Sequence, residues 1–314
     1  MNDYRDWKDI NQRLVNRGRE ITLFLDVKDA NLEEELSKMN DRKRGSPYQY
    51  PNTLIYAGMV IKCLQHKTYR LLQGYLEDLA KFLHFSVPDF RTFWWRTDKM
   101  EKEGVRFNPP PGNRKINVAV DSTGIKLVND GEYRTRKYKK TKDWVKFHTS
   151  VNEETGESLT IVITKDNVAD MREFGKLIDP IADLVNKADT DKGYDREKNF
   201  GYCHKHGIIP GIPVKINATT TNRKTKYRRI AVAEQFGIEI KRGVKVGHIG
   251  RKLKERRQKK WKKKIKQGRR WAVEGFYSRY KRQFGEYVFS RKREMVEKEI
   301  VMKTNILNKF ITMH

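Results

Sequence analysis

The spacing of apolar residues changes part-way along the chain and divides it into two regions. Up to residue 115 apolar residues recur at three-to-four spacing, as in YQYPNTLIYAGMVIKCLQ and YRLLQGYLEDLAKFLHF, which predicts helices. A break at SVPD, with Ser86 as a candidate cap, precedes a further helix in FRTFWWRTDKMEKEG. We therefore predict a mostly helical region over residues 1–115, which ends in the linker NPPPGNRK at 108–115.

The last two predicted helices of this region are candidates for a helix-turn-helix over about residues 69–101. The second of them carries Arg91 and Arg96 beside two tryptophans, and arginine suits the hydrogen-bonding edges of guanine. Two ordinary packed helices give the same pattern, so both interpretations stay open. If the helices form a helix-turn-helix, we expect the segment 86–99 to recognise a DNA sequence.

Beyond residue 115 the pattern becomes that of a sheet with helices. KINVAVDSTGIKLV predicts a strand with a charged residue at its middle, and WVKFHTSV and SLTIVITKD predict a hairpin around NEETGE. DMREFGKLIDPIADLV and EKNFGYCHKHG have helical spacing, KADTDKGYD is a polar loop, and IIPGIPVKI is a short strand. This order predicts an α/β layer with a central sheet over residues 116–314.

The charge balance makes nucleic acid the first candidate partner. The 314 residues include 68 Lys and Arg against 40 Asp and Glu, a formal net charge of +28, with enough hydrophobic residues for a globular core. An anionic membrane surface is a weaker alternative, because there is no apolar run of about 18 residues and no signal-peptide segment. Cys63 and Cys203 are too few for a disulfide framework, so we expect a cytoplasmic protein.

Positive charge is concentrated in RKLKERRQKKWKKKIKQGRR, where thirteen of the twenty residues 251–270 are Lys or Arg. Like charges repel one another at helical spacing, and a phosphate backbone would relieve that repulsion. We expect this run, with Lys262, Lys263 and Lys264 in it, to carry most of the non-specific DNA affinity. The alternative is a solvated helix face.

Three carboxylates stand where an acid is locally unexpected. Asp121 interrupts the apolar strand in VAVDSTG, Asp191 follows a predicted strand in DTDKGYD, and Glu274 lies among basic and aromatic residues in RRWAVEGFYSRYKRQFG. Taken singly, each has an ordinary interpretation: Asp121 as a cap or turn residue, Asp191 as a loop residue, and Glu274 as an ion-pair partner of Arg270. Together they suit phosphoryl transfer by two metal ions, which needs carboxylates that converge from separate elements.

Helical geometry around Glu274 supports this interpretation. At about 100° per residue, Arg270, Glu274 and Lys281 lie within roughly 40° of one another, beside an apolar stripe of Val273, Tyr277, Tyr280 and Phe284. We expect Glu274 to bind metal while Arg270 and Lys281 hold phosphates. For the second acid, residues two apart share a strand face, so geometry alone admits Asp189 or Asp191. Asp195 is expected to cap the following helix.

VAVDSTGIKL, DKGYD and RRWAVEGFYSRYKRQFGEYV resemble, in order, the three acidic blocks of the DDE transposases of prokaryotic insertion sequences, families four and five. YRDWKDINQRLVNRG and RGSPYQYP resemble the N-terminal region of family five, so the resemblance spans nearly the whole chain and favours that family. Its most specific element is Arg270, three residues, Glu274, six residues and Lys281. Where relatives have a Tyr three residues before the Arg, this chain has Gln267.

The resemblance implies a ribonuclease-H-like catalytic domain with a mixed central sheet and a basic insertion at about 215–268. Asp121 would lie on the first strand, Asp191 just after the fourth, and Glu274 on a late helix. Asp191 is preferred to Asp189 because the residues that follow it resemble the family's second block.

The resemblance also implies a reaction. The protein would cut DNA at the ends of a mobile element and join the free 3′-hydroxyl to target DNA, with two Mg²⁺ ions that Mn²⁺ can replace. It would act near the nucleoid as a homodimer or higher oligomer. A nuclease that cuts without joining and a non-catalytic DNA-binding remnant are the alternatives.

His148, His204 and His206 also invite a metal interpretation, but CHKH at 203–206 has no second ligand pair at zinc spacing. We predict that 203–206 lies on a helix surface.

Overall fold

A computed structural model describes residues 31–83, 86–100, 104–112, 114–127, 144–220, 225–238 and 249–313, together with the isolated residues 6, 8, 11, 12 and 15. Most of YRDWKDINQRLVNRG lies outside the described residues, and so do residues 84, 85 and 101 of the predicted helix-turn-helix.

The elements are numbered in chain order. The helices are α1 (Leu32–Asn40), α2 (Asn52–Leu64), α3 (Tyr69–Leu83), α4 (Phe90–Lys99), α5 (Phe174–Ile178), α6 (Glu197–Lys205), α7 (Lys226–Phe236), α8 (Arg251–Lys264), α9 (Trp271–Phe284) and α10 (Arg293–Thr312). The strands are β1 (Ile116–Leu127), β2 (Trp144–Asn152), β3 (Ser158–Lys165), β4 (Val185–Asp189), β5 (Ile209–Gly211) and β6 (Tyr287–Val288). No described helix is long and apolar enough to cross a membrane.

The chain divides into two compact units. The first comprises Met1–Gly104, Leu127–Arg134 and Tyr280–His314, and the second comprises Val105–Lys126 and Thr135–Arg279. The predicted boundary near residue 115 is close to the start of the second unit. The residues from Tyr280 onward, which the sequence assigned to the catalytic domain, group instead with the N-terminal helices.

The first unit has its apolar core where α2, α3 and α4 meet, around Ile55, Leu72 and Phe93. The ring of Phe93 comes so close to Gly58 that a Cβ there would lie 2.4 Å from its Cε1 atom. Helix α4 begins at Asp89, whose carboxylate accepts the Thr92 N–H at 2.7 Å. Asp89 is therefore the N-cap, and the prediction of Ser86 was wrong.

Buried charges explain why α10 belongs to this first unit. The Glu299 carboxylate lies 2.8 Å from the Lys303 Nζ and 3.7 Å from the Lys62 Nζ of α2, and all three side chains are about 1% exposed. Burial by itself would raise the pKa of Glu299, but the two lysines, with Ser290, lower it to about 2. A charge buried in this way needs its partners close by, which ties α10 to α2.

The sheet of the second unit has the strand order β3-β2-β1-β4-β5. Strand β2 is antiparallel to β1 and β3, whereas β4 is parallel to β1 and β5. Apolar side chains of β1 and β4 and of helices α5, α6 and α7 form the core on this sheet, among them Val118, Phe174 and Phe236. This mixed sheet with flanking helices confirms the predicted ribonuclease-H-like α/β fold.

Two local predictions in the second unit were wrong. The stretch DMREFGKLIDPIADLV is not one helix, because short 3₁₀ turns at Asp170–Arg172 and Asp179–Leu184 flank α5. Pro180, at the start of the second turn, lacks the N–H that a continuing α-helix needs. Asp195 does not cap α6, since its carboxylate binds the Arg228 guanidinium at 2.6 and 2.8 Å.

The CHKH segment only partly follows its prediction. His204 is exposed and its ring lies 4.6 Å from that of Tyr227, and His206 stacks on Tyr202 at 4.4 Å. Cys203, in contrast, is fully buried in the core, because it lies on the inner face of α6. His148 is also buried, and its Nε2 pairs with the Thr164 hydroxyl at 2.8 Å.

Candidate active site

Asp121 lies at the middle of β1, as predicted, and is held there by its backbone and by α9. Its Oδ1 accepts the N–H of Ser122 at 2.8 Å. The Tyr277 hydroxyl lies 2.8 Å from the Asp121 carbonyl oxygen and 2.9 Å from that of Phe147 on β2, so it donates to one or the other. Tyr277 thus fixes β1 and β2 to α9 directly under the first acid.

Asp191 comes just after β4, also as predicted, and caps the short 3₁₀ turn Lys192–Tyr194. Its Oδ1 accepts the Gly193 N–H at 2.7 Å. The φ of Gly193 is not positive, so the backbone conformation does not require glycine at this position. Space is the reason for glycine instead, since a Cβ at this position would lie 2.8 Å from the Asp191 Oδ1.

Glu274 lies in the first turn of α9, and Arg270 joins it to Asp121. The Arg270 guanidinium donates to a Glu274 oxygen at 2.5 Å and to the Asp121 Oδ2 at 3.1 Å. The ion pair within the helix, which the sequence offered as the ordinary interpretation, therefore exists. It also does more, because one guanidinium brings together carboxylates that lie far apart in the chain.

The charges of the acids affect one another at Asp121. Burial raises the pKa of Asp121 above its ordinary value, and the charges of Asp191 and Asp170 raise it further. The Ser122 N–H and the Arg270 guanidinium act in the opposite direction. The site therefore gathers negative charge in a partly buried place, which favours a cation there.

Asp189 faces a different environment from Asp191. Its carboxylate is fully buried and accepts a hydrogen bond from the Lys187 Nζ at 2.8 Å, while the same Nζ lies 3.6 Å from the Glu153 carboxylate. Gly211 on β5 packs so tightly here that a Cβ would collide with the Asp189 Oδ1. Asp189 thus belongs to a buried ion cluster, whereas Asp191 is partly exposed at the edge of a cavity.

Gln267 holds the loop before Asp191 in place, a role that sequence reasoning left open. This buried side chain donates from Nε2 to the carbonyl oxygens of Thr190 at 3.0 Å and Gly211 at 3.2 Å. The two bonds connect the turn before α9 to the ends of β4 and β5. The only sequence signal was its place three residues before Arg270, where relatives carry a Tyr.

Comparison with known families agrees with this geometry. Residues 113–309, more than half of the chain, match a family model described as a transposase DDE domain, and residues 15–130 match a second model with the same description. The chain belongs to the DDE transposases. This membership establishes that the protein is a transposase that acts on DNA.

DDE transposases generally use divalent metal ions, and the donor set of this transposase has the chemistry for such ions. All three acids offer carboxylate oxygens, which suit a hard cation such as Mg²⁺. Within the described residues, however, no three acidic, His or Cys side chains already form a metal-binding group. Arg270 lies between Asp121 and Glu274, so a cation bound by both carboxylates has to take over its place.

The predicted DNA-binding cations of this transposase occupy several environments. On α8, Lys262, Lys263 and Lys264 are all exposed, and Lys262 also lines the cavity beside Asp191. On α4, Arg91 is exposed, but Arg96 is buried and donates to the Tyr50 carbonyl oxygen and the Asn52 side chain. Arg270 also lines this cavity, and Lys281 on α9 lies 3.5 Å from the Glu286 carboxylate.

Proposed function

We propose that this transposase cuts DNA strands at the ends of an insertion sequence and transfers the free 3′-hydroxyl to target DNA. The observation that supports this most directly is the Arg270 guanidinium, which joins the carboxylates of Asp121 on β1 and Glu274 on α9. An acid from a strand and one from a helix are thereby brought together, and the charge of Asp191 also acts on Asp121. Phosphoryl transfer by two metal ions requires such convergence of carboxylates.

In this proposal Asp121, Asp191 and Glu274 hold the metal ions, Mg²⁺ or Mn²⁺. When bound, these ions neutralise the charge on the attacking and leaving oxygens. Tyr277 and Gln267 position the first and second acids through backbone carbonyl oxygens. Arg270 and Lys281 bind phosphate oxygens next to the cleaved bond, since both cations lie on the segment that carries Glu274.

Substitution of the acids tests the proposal. Asp121→Ala, Asp191→Ala and Glu274→Ala should each abolish cleavage of a plasmid that carries the reading frame with its natural flanking DNA. DNA binding should survive, because loss of a negative charge cannot weaken attraction to phosphate. Loss of DNA binding in correctly folded acid variants would contradict the proposal.

Asp189→Asn is the control for the second acid. It keeps the shape of the buried side chain, so the folded protein should retain substantial cleavage. If Asp189→Asn is inactive while Asp191→Ala still cleaves, the second ligand is Asp189. For a direct ligand at 191, Asp191→Cys should be partly rescued by Mn²⁺, which tolerates sulfur better than Mg²⁺.

The products decide between transposition and simple cleavage. Joined DNA, detected as the element's end linked to a target plasmid, is expected beside the cut ends. Cut ends without joined products would identify a nuclease. We further propose that the protein acts as a homodimer or higher oligomer in the cytoplasm, which sedimentation of the DNA complex would test.

Recognition of the element's ends is proposed for α4. Arg91, Trp94 and Trp95 are exposed on this helix, and aromatic and arginine side chains suit contacts with bases. Arg96 is left out of this proposal because it is buried. Arg91→Ala should reduce the preference for the end sequence over random DNA, and an unchanged preference would place recognition elsewhere.

A further inference from the structure

A cavity of about 510 Å³ opens beside Asp191 within the second unit. Its walls come from the turn after β4, the segment after β5, helix α8 and the turn before α9. Lys192, Lys262 and Arg270 line it together with Pro213, Val214 and Ile216. A volume in this range accommodates a small organic ligand of nucleotide size.

One side of the cavity carries converging positive charges. Burial lowers the pKa of Lys262, and the charges of Arg270 and Lys192 lower it further, so the three cations lie close enough to repel one another. Among the described residues, neither Lys262 nor Lys192 has an acidic partner within ion-pair distance. Glu255, the other acid of the lining, is already paired with Arg251 at 2.9 Å. An anion bound here would relieve the repulsion.

Another part of the lining is apolar. Pro213, Val214 and Ile216 form this wall, and the Gln258 side chain holds it against α8 by donating to the Val214 carbonyl oxygen at 2.8 Å. A free phosphate ion would leave this wall without a contact. A ligand with one anionic group and one flat or apolar group would contact both parts of the lining.

We propose that this cavity binds a single nucleotide of a DNA strand, with its phosphate on Lys262 and Lys192 and its sugar and base against Pro213 and Val214. The identity of this strand as the one that is cut rests on the proposed function. The position next to Asp191 places the bound nucleotide beside the acids, so that the cavity sets the path of the strand into the site.

Binding of a short single strand tests the cavity without any cleavage. The probe is fluorescein-labelled pentathymidylate, and the full-length protein is compared with Lys262→Ala by fluorescence anisotropy. Lys205→Ala is the matched control, because it removes the same charge from an exposed position of the same unit, outside both the cavity and the basic run 251–270. Lys262→Arg keeps the charge at the tested position.

We expect Lys262→Ala to weaken binding about fivefold to tenfold, as for loss of a charge-assisted phosphate contact. It should also reduce the slope of log affinity against log salt by about 0.7, the value for one phosphate of a single strand. Lys205→Ala should change affinity less than about twofold, because it lies outside the cavity and the basic run, and Lys262→Arg should restore binding. Equal losses in both alanine variants, or no loss in either, would overturn the proposal.

Cross-linking gives a second measurement that does not depend on a substitution. Pentathymidylate with a central 4-thiothymidine should form photo-adducts in the peptide that contains Pro213 and Val214, and these adducts should decrease in Lys262→Ala. Adducts only elsewhere would overturn the proposal. If the nucleotide binds in the cavity while the acid variants still cleave DNA, the binding proposal is supported and the proposed chemistry is wrong. If the acid variants are inactive but no nucleotide binds in the cavity, the proposed chemistry is supported and the binding proposal is wrong.

Discussion

At the scale of single residues, Arg270 has a larger role than its sequence position indicates. The spacing of Arg270 and Glu274 predicts a local ion pair, and that pair is present at 2.5 Å. The contact with Asp121 at 3.1 Å is not local, because it depends on how α9 packs against β1. One side chain thus changes from a helix-stabilising residue to one that assembles the site.

Gln267 gives a prediction at this scale. Gln267→Ala removes two hydrogen bonds and leaves the Thr190 and Gly211 carbonyl oxygens without their donor, so we expect a loss of about 1–3 kcal/mol in unfolding free energy. Because the loop before Asp191 loses its support, the cleavage rate should also fall when measured well below the melting temperature.

Gln235→Ala is the control for this effect. Gln235 is equally buried and also bonds backbone groups, those of Ile212 and Val214, but it lies on α7. Gln235→Ala should lower the unfolding free energy to a similar extent as Gln267→Ala, but it should reduce the cleavage rate less. Equal losses of cleavage in the two variants would mean that Gln267 acts through stability alone.

The buried acids near β4 predict a dependence of stability on pH. Burial, together with the charge of Asp189, raises the pKa of Glu153 to about 8, and burial also raises that of Asp189. A proton shared by these carboxyl groups leaves one negative charge to balance Lys187. Because an acid with a raised pKa binds its proton more tightly in the folded state, its contribution is complete below about pH 4.3 and is lost as the pH rises towards 8.

Unfolding by urea at several pH values checks this prediction. The wild-type unfolding free energy should carry a component that falls between about pH 5 and 8, by at most about 1.4 kcal/mol per pH unit. Glu153→Gln should flatten that component, because glutamine cannot release a proton. Glu154→Gln, an exposed neighbour, should leave it in place. The same slope in Glu153→Gln as in the wild type would contradict the shared proton.

At the scale of elements, helix α8 shows two faces that its sequence does not separate. Lys254 donates to the carbonyl oxygens of Ile216 and Ala218, Arg257 donates to that of Phe236, and Trp261 is buried. Lys259, Lys260, Lys263 and Lys264 are exposed. Part of the basic run thus secures the helix to the second unit, and the other part is available to a polyanion.

The exposed part predicts a salt dependence. If α8 makes six or more phosphate contacts, raising salt from about 50 to 200 mM should weaken duplex binding roughly a thousandfold. Replacing Lys262, Lys263 and Lys264 with Ala should reduce the slope by about 0.9 for each lost contact. Alanine at Lys38, Lys81 and Lys205, which are exposed on other helices, removes the same charge and should change the slope less. If the slope of log affinity against log salt is the same in the wild type and in both triple alanine variants, α8 is only a solvated face.

At the scale of the whole molecule, the first unit joins the two ends of the chain. Lys62 of α2 is buried together with Glu299 and Lys303 of α10, so one of the two lysines that balance the buried Glu299 charge comes from α2. A fragment of residues 116–314 therefore lacks Lys62 and leaves Glu299 with a weaker counter-charge. The fragment is unsuitable for testing where DNA recognition lies, and substitutions in the full chain are the better tool.

A prediction follows for Lys62 itself. Lys62→Met should lower the unfolding free energy by about 3–5 kcal/mol, the usual cost of breaking a buried ion pair. Lys38→Met removes an exposed lysine and should change it by about 0.5 kcal/mol or less. Because the pKa of Glu299 is depressed to about 2, the stability from this cluster should be lost as the pH falls from about 4.5 towards 2. Thermal melting of the wild type, Lys62→Met and Lys38→Met between about pH 2 and 4.5 measures both the loss of stability and its dependence on pH.

The sequence by itself determined the features that depend on local periodicity and on motif order. The alternation in KINVAVDSTGIKLV defined β1, the helical spacing around Glu274 defined α9 with its buried stripe of Val273, Tyr277, Tyr280 and Phe284, and the three acidic blocks indicated the family. Such features follow from which neighbours along a chain share a face.

Only the tertiary structure decided what each polar side chain contacts. Arg91 and Arg96 look equivalent in the sequence, yet Arg96 is buried against Tyr50 and Asn52 because it faces the core of its unit. Asp189 and Asp191 differ in the same way, since β5 and Lys187 enclose the former while the latter faces a cavity. These contacts join residues far apart in the chain, and their geometry depends on how complete elements pack, which no local pattern encodes.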